Sequence, residues 1–504
     1  MSGFAVMLGA PEDRALETMM VRMAHRGPFT SGVFRGDGVV MAQNYLRADG
    51  ATADAQVPVR SQANPRLVIC YDGQMGNWPE KAREHGVPDG PFREERLLLT
   101  LYEKYGPDLL DHLDDAIFAL AIWDGEKLFA ARDLLGIKTL FTGRKGDSLY
   151  LASELKAVHE VADEVQEFPN GCLMDETGQV TRFAELPETP PEFTGSSVDV
   201  MAESIRSIIE RSFSNRIDFG TPTGGLLSGG LDSSVVCYVA SQANRARFGP
   251  QARLKTFAVG LGETGDVISA REVARHIDSD HHELLVDLDQ VLEVLPEVVY
   301  YLESFDPSLV RSAASNYLVS RLTRDEGIET LLSGEGGDEV FCGYKYLEQY
   351  PHEEMFARQM ECLAYLHNNA SLRLDRMNLC HSVKVVAPLI SGELLGYAMT
   401  IPPEYKQRPQ NGGRIEKWIF RKAYENALPE SVVWRPKAEF SQGSGSAAAL
   451  AAHFESTIPD EDLREVQVTY PIIRSKEELH YFQLFREHFG TDHAVQTVGQ
   501  WVSL

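Results

Sequence analysis

The spacing of apolar residues changes character near residue 190. Before it, short apolar runs end repeatedly in turn signals, over residues 4–8, 32–34, 39–42, 67–71, 117–123, 128–131 and 149–152, and runs of that length predict strands. Two stretches have helical spacing instead: 13–24, with Leu16, Met19, Met20 and Met23 on one stripe, and 94–105. Many short strands with few helices predict stacked antiparallel sheets flanked by helices. Residues 186–197, with Pro187, Pro190, Pro191, Gly195, Ser196 and Ser197, read as a linker. Beyond it the period alternates. Met201, Ile205, Ile208 and Ile209 make a helical stripe, strands follow at 254–261, 282–288 and 329–332, and helices at 268–277, 289–302 and 313–322. That alternation predicts an α/β domain whose mostly parallel sheet is covered on both faces and binds ligands beyond its carboxyl ends. After Tyr344 the pattern is chiefly helical. The expected domains are 1–190 and 198–504.

Charge and composition narrow the function. The formal charge is −26 over 504 residues, with no basic stripe to offset it, which argues against a nucleic-acid partner. No apolar run approaches the ~18 residues of a membrane span, and residues 1–6 lack a basic region and a cleavage site. The six cysteines are scattered without CxxC spacing, so reduced core thiols and a cytoplasmic location are expected.

Chemistry concentrates in two glycine loops. In Leu226-Leu227-Ser228-Gly229-Gly230-Leu231-Asp232-Ser233-Ser234 a strand, a tight turn and a helix start make an anion site. Backbone N–H groups and the hydroxyls of Ser228, Ser233 and Ser234 face the charge, and Asp232 suits a metal carried by phosphate. The Lys-Ser/Thr pair of a Walker loop is missing. Ser333-Gly334-Glu335-Gly336-Gly337-Asp338-Glu339 follows another predicted strand, and its close carboxylates require a shared cation or proton. Asp232 and Asp338 are the expected Mg2+ ligands, one from each loop. Lys437, within Trp434-Arg435-Pro436-Lys437-Ala438-Glu439-Phe440-Ser441, reads alone as a surface lysine, and only the company of the two loops makes it a candidate fixed cation.

Met1-Ser2-Gly3-Phe4, His25-Arg26-Gly27-Pro28, 132–138 and 152–156 resemble the amidotransferase half of asparagine synthetases. The resemblance implies an Ntn-hydrolase-like αββα sandwich in which an N-terminal cysteine attacks glutamine and its own α-amine is the base. Here the site is altered. Ser2 stands at the nucleophile, Asp72-Gly73-Gln74 replaces Asn-Gly-Glu, Tyr45 falls at the carboxylate-binding arginine, and Arg93-Glu94 replaces the Ser-Asp pair for the ammonium. Loss of glutaminase activity is the expectation.

From Leu226 to Glu487 the chain resembles the synthetase half of the same family, through the serine-glycine loop, Ser333–Tyr344 and Trp434–Gly445. The resemblance implies an ATP-pyrophosphatase (PP-loop, adenine nucleotide α-hydrolase-like) parallel sheet with a helical extension, taking ATP and Mg2+ as cofactors. A substrate carboxylate is adenylated and pyrophosphate leaves from Ser228, Gly229, Gly230, Ser233 and Ser234, beside Asp232, Asp338 and Lys437. The backbone at Leu226, Val259 and Gly334 frames adenine and ribose, and Glu335 takes the proton of an attacking ammonia or amine. The related β-lactam synthetases have tyrosine in place of Glu335. The segment Glu-x-Arg-x-Pro-Phe-Leu-Asp survives only as Lys384-Val385-Val386-Ala387-Pro388-Leu389-Ile390-Ser391, which puts aspartate as substrate in question. The expected activity is an AMP-forming amide ligase acting on an acidic amino acid or analogue. A working glutamine-dependent asparagine synthetase, an intramolecular cyclase and a non-catalytic homologue stand as alternatives. Partners are small carboxylates and amines, and the resemblance suggests a homodimer.

Overall fold

The computed structural model describes residues 2–9, 12–46, 56–193, 195–410, 413–437, 440–491 and 493–501. Met1, Ala438 and Glu439 of the motifs above lie outside them. The chain forms two compact units, Met1–Leu186 with Phe489–Thr497, and Pro187–His488 with Val498–Leu504.

The first unit contains strands β1 (Ser2–Leu8), β2 (Thr30–Gly36), β3 (Val39–Tyr45), β4 (Val59–Arg60), β5 (Val68–Met75), β6 (Ala116–Trp123), β7 (Leu128–Arg132), β8 (Phe141–Lys145), β9 (Ser148–Ala152), β10 (Glu164–Glu167), β11 (Cys172–Met174) and β12 (Val180–Arg182). They form two six-stranded sheets, β10-β8-β9-β1-β3-β2 and β12-β11-β7-β6-β5-β4. Alternation decides which side chains meet between them. Phe4, Val6 and Met41 of one sheet share a core with Val68, Cys70, Ala119 and Ala121 of the other. The helices α1 (Asp13–Arg22), α2 (Trp78–Glu84), α3 (Arg93–Tyr105) and α4 (Leu155–His159) complete the unit. Leu97, Leu98 and Leu101 of α3 pack on Ile69, Tyr71, Leu120 and Ile122, the outer face of the second sheet. The layers are αββα. Strands such as β8 and β12 escape the apolar pattern because Arg144 and Lys145, and all of β12, face solvent.

The second unit opens with α5 (Val198–Arg216), capped by the Ser197 hydroxyl, which accepts from Val200 N at 3.4 Å. Then come β13 (Thr223–Leu226), α6 (Leu231–Phe248), β14 (Lys255–Leu261), α7 (Gly265–His276), β15 (Asp280–Val286), α8 (Leu288–Leu302), α9 (Pro307–Asp325), β16 (Thr330–Leu332), α10 (Gly337–Phe341), α11 (His352–Tyr365), α12 (Ala370–Leu379) and β17 (Lys384–Val386). The sheet order is β15-β14-β13-β16-β17, and every pairing is parallel. From central β13 the chain builds outward through β14 first and later through β16. The two glycine loops therefore emerge side by side at the reversal of strand order, where open α/β sheets bind ligands. Strand β17 interrupts the helical reading after Tyr344. Its three residues are too few to carry a strand signature of their own, and it is held by register with Thr330–Leu332.

Candidate active site

Glycine lets the two loops touch. Gly229 has φ +72° and Gly336 φ +93°, backbone states that favour glycine. A Cβ on Gly334 would lie 2.5 Å from Ser233 N, and one on Gly337 would lie 2.4 Å from Asp232 Oδ1. The start of α6 thus packs against the loop after β16 with no side chain between. Leu231, Asp232 and Ser233 form the first turn of α6, where N–H groups lack partners within the helix. The Ser233 hydroxyl closes the turn, accepting from Ser228 N at 3.2 Å and meeting Ser228 Oγ at 2.9 Å.

Two carboxylates and two ammoniums converge on this contact. Lys417 Nζ lies 2.5 Å from Asp232 Oδ2 and 2.7 Å from Asp338 Oδ1, and Lys437 Nζ lies 2.6 Å from Asp338 Oδ2 and 4.0 Å from Asp232 Oδ2. Burial alone would raise the Asp338 carboxyl, but the two ammoniums outweigh it and hold it well below the usual carboxylate range. Burial would likewise lower Lys437, and Asp338 and Asp232 reverse the sign and raise it. Asp232 Oδ1 nevertheless accepts no hydrogen bond, whereas Asp338 Oδ1 meets the Lys417 ammonium at 2.7 Å. The unpaired Asp232 oxygen beside the Asp338 carboxylate fits a hard cation that draws its remaining ligands from phosphate and water. Among the described residues no group of three or more His, Cys, Asp and Glu could hold a metal alone.

One cavity gathers most of the residues expected from sequence: Leu226, Ser228, Gly230, Asp232, Ser233, Gly334, Glu335, Asp338 and Lys437 all line it. Gly229 backs it, its carbonyl accepting from Ser269 Oγ at 2.9 Å. The Ser234 hydroxyl turns away, donating to Gly230 O at 2.7 Å, and Val259 lies in the sheet core with Phe257 and Leu331. The 384–391 segment supports the site from behind. Val386 O accepts from Ser333 N at 2.9 Å, a Cβ on Gly336 would meet Ile390 at 2.5 Å, and Ser391 caps the helix Gly392–Thr400.

Several residues of the cavity were not expected. Arg373 of α12 ion-pairs with Glu335 and lies 5.2 Å from the Phe440 ring centre. Arg435 holds Asp266 at 2.7 Å, and Ser308, Ser312, Asn316, Tyr344 and Trp501 also line the cavity. Lys417 left no trace in the sequence, yet its side chain is 2 % exposed and its backbone has φ +55°, a state uncommon outside glycine and frequent at functional sites.

The first unit has a charged centre of another kind. Arg26, fully buried, donates to Asp72 Oδ2 at 2.8 Å, Glu154 Oε1 at 2.9 Å and Ser2 O at 3.1 Å. Ser2 is also fully buried. Its N–H donates to Asp72 Oδ1 at 3.0 Å, and its hydroxyl donates to Tyr71 O at 2.5 Å and accepts from Gln43 Nε2 at 2.8 Å. Tyr45 donates to Glu95 at 2.7 Å, and Glu94 accepts from the Tyr71 hydroxyl at 2.8 Å and from Met75 N at 3.0 Å. Burial pushes the Glu95 carboxyl up despite the Tyr45 bond. Gly73 lies under the Tyr71 ring, where a Cβ would approach to 2.5 Å, and Gln74 is buried beside it.

Residues 1–185 match the glutamine amidotransferase domain family, and residues 204–361 and 348–489 match the asparagine synthase family. A probable glutamine-hydrolysing asparagine synthetase of Schizosaccharomyces pombe is 33 % identical, over 95 % of this chain and 91 % of that protein. Asparagine synthetase B of Escherichia coli is 32 % identical, over 96 % and 90 %. A solved glutamine phosphoribosylpyrophosphate amidotransferase from B. subtilis, complexed with ADP and GMP, matches 56 % of this chain and 90 % of its own at 14 % identity, with a TM-score of 0.33.

Proposed function

The chain belongs to the asparagine synthetase family, and from that premise we propose that it adenylates a small carboxylic acid and passes the acyl group to ammonia or an amine, with the ancestral glutaminase chemistry lost. It is an ATP-dependent carbon–nitrogen ligase of the asparagine synthetase type, with an Ntn-type αββα unit followed by a PP-loop-like parallel sheet. The observation that carries the reading is the convergence of Asp232, Asp338, Lys417 and Lys437 on the contact between the two glycine loops.

In this reading the α6 N-terminus and Ser228 hold the departing pyrophosphate, since unpaired N–H groups there meet charge that grows in the transition state. Asp232 and Asp338 would hold Mg2+, which neutralises phosphate charge when bound. Lys437 supplies a fixed positive charge within reach of the same oxygens, and Lys417 keeps the two carboxylates from repelling each other. Glu335, steadied by Arg373, takes the proton released as the amine attacks the acyl carbon.

Loss of glutamine hydrolysis is supported by the surroundings of Ser2. A free amine at that position would sit as ammonium against Asp72, and an ammonium is no base. The hydroxyl is already donated to Tyr71 O. Asp72 offers only acceptor oxygens where an oxyanion needs donors.

Pyrophosphate release from ATP is the test. Release that requires a carboxylic acid, with amide formed when ammonia is added, supports the ligase. Ammonia release from glutamine that disappears in Ser2→Ala would overturn the loss of the glutaminase.

A further inference from the structure

Lys417 reaches the contact between the two loops along a path that the fold keeps open. It stands just ahead of the helix Trp418–Tyr424, with φ +55° and ψ 28°, and its carbonyl accepts from Arg421 N at 2.9 Å. From there the side chain runs over Gly343, where a Cβ would overlap both Lys417 Cε and Asp338 Oδ1. Any side chain at 343 would push the ammonium off the carboxylates. The ammonium bridges them, 2.5 Å from Asp232 Oδ2 and 2.7 Å from Asp338 Oδ1, with its side chain 2 % exposed. Lys437 is more open to solvent and is close to Asp338 alone. Of the four carboxylate oxygens, three therefore face an ammonium, and Asp232 Oδ1 is left without a hydrogen bond.

Two carboxylates facing two ammoniums sum to no net charge. A bare divalent cation entering between them would meet two positive charges at close range and find one unpaired oxygen, so repulsion wins. The same cation on a nucleoside triphosphate brings phosphate oxygens as ligands. That complex is also negative overall, which the ammoniums and the first turn of α6 attract. We infer that Lys417 makes metal uptake conditional on nucleotide: it fills the bridging position between Asp232 and Asp338, so a divalent cation is admitted only with the triphosphate that carries it. Lys417 is a positioning residue here, acting through the two aspartates. The inference rests on the ligase reading and adds an order of binding to it.

Equilibrium dialysis of the full chain against Mn2+, with and without ATP, is the test. Asp232→Asn gives the background from surface carboxylates. Above that background, the unsubstituted protein should retain Mn2+ only when ATP is present. Lys417→Met releases two carboxylate oxygens and leaves the cluster negative, so it should retain Mn2+ without ATP, its affinity raised by about tenfold or more. Its unfolding midpoint should rise on adding MgCl2 alone, and that of the unsubstituted protein should not. Lys417→Arg keeps the charge and should bring back the dependence on ATP. Should Lys417→Met fail to fold, Gly343→Ala displaces the ammonium with the lysine retained and should gain nucleotide-free Mn2+ in the same way. A lysine with a merely structural role predicts the reverse, a less stable variant whose affinity for metal alone is unchanged or weaker, and that result would overturn the assignment. Equal retention of Mn2+ by the unsubstituted protein with and without ATP would also overturn it, while leaving the ligase reading intact. If neither protein retains Mn2+ even with ATP, the metal site of the ligase reading falls as well.

Discussion

The two units solve the same electrostatic problem in opposite ways. In the first, Arg26 satisfies Asp72, Glu154 and a backbone carbonyl at once. In the second, Asp232 and Asp338 are neutralised by Lys417 and Lys437, yet Asp232 Oδ1 keeps no hydrogen bond beside the cavity that both aspartates line. Charge that is saturated holds a fold together. Charge that is balanced but unsaturated can still bind, and under the proposed function that difference separates a scaffold from a site.

Substitutions can break this contrast. The largest effect is expected from Glu335→Gln, which should cut amide formation by about 10²–10⁴ while leaving pyrophosphate exchange into ATP; equal loss of both would remove Glu335 from the second step. Lys437→Met should slow pyrophosphate release by about 10²–10³ with little change in thermal unfolding, as steady-state rates beside a melting curve would report. Arg26→Met should do the reverse. Leaving Asp72 and Glu154 buried without their guanidinium should destabilise by about 3–5 kcal/mol, while the ligase rate per folded molecule stays the same. Ser2→Ala should lower stability by roughly 1 kcal/mol, the scale of one hydrogen bond, and leave ammonia-dependent synthesis untouched.

The smallest effect concerns pH. Burial lowers the His25 pKa from 6.5 although Glu154 opposes it, so the fold prefers the neutral imidazole. That preference supports stability above pH 6.5 and is lost as pH falls below it, when the unfolded chain gains a proton that the folded chain resists. Unfolding midpoints from pH 7.5 to 5 should therefore fall less steeply in His25→Gln.

The same contrast explains what could be read in advance. Glycine and carboxylate spacing exposed both loops, because only a close backbone approach and a shared cation reconcile Gly334, Gly337, Asp232 and Asp338. The parallel sheet followed from the alternation of strands and helices. Lys417 and Arg373 stayed hidden because a single lysine or arginine before or within a helix resembles any surface residue; only tertiary packing buries Lys417 between two aspartates. Strand β17 and the rim strands of the first unit were missed where short polar segments take their structure from the partner they pair with.

The closeness of Gly334 to Ser233 and of Gly337 to Asp232 makes the proposed nucleotide site a clasp whose halves lie about a hundred residues apart in the chain. Neither half is a partial receptor, because each supplies what the other lacks. A ligand that closes the clasp therefore stabilises the folded sheet in proportion to the logarithm of its concentration over its Kd, so under the proposed function ATP doubles as a reporter of whether that sheet has assembled.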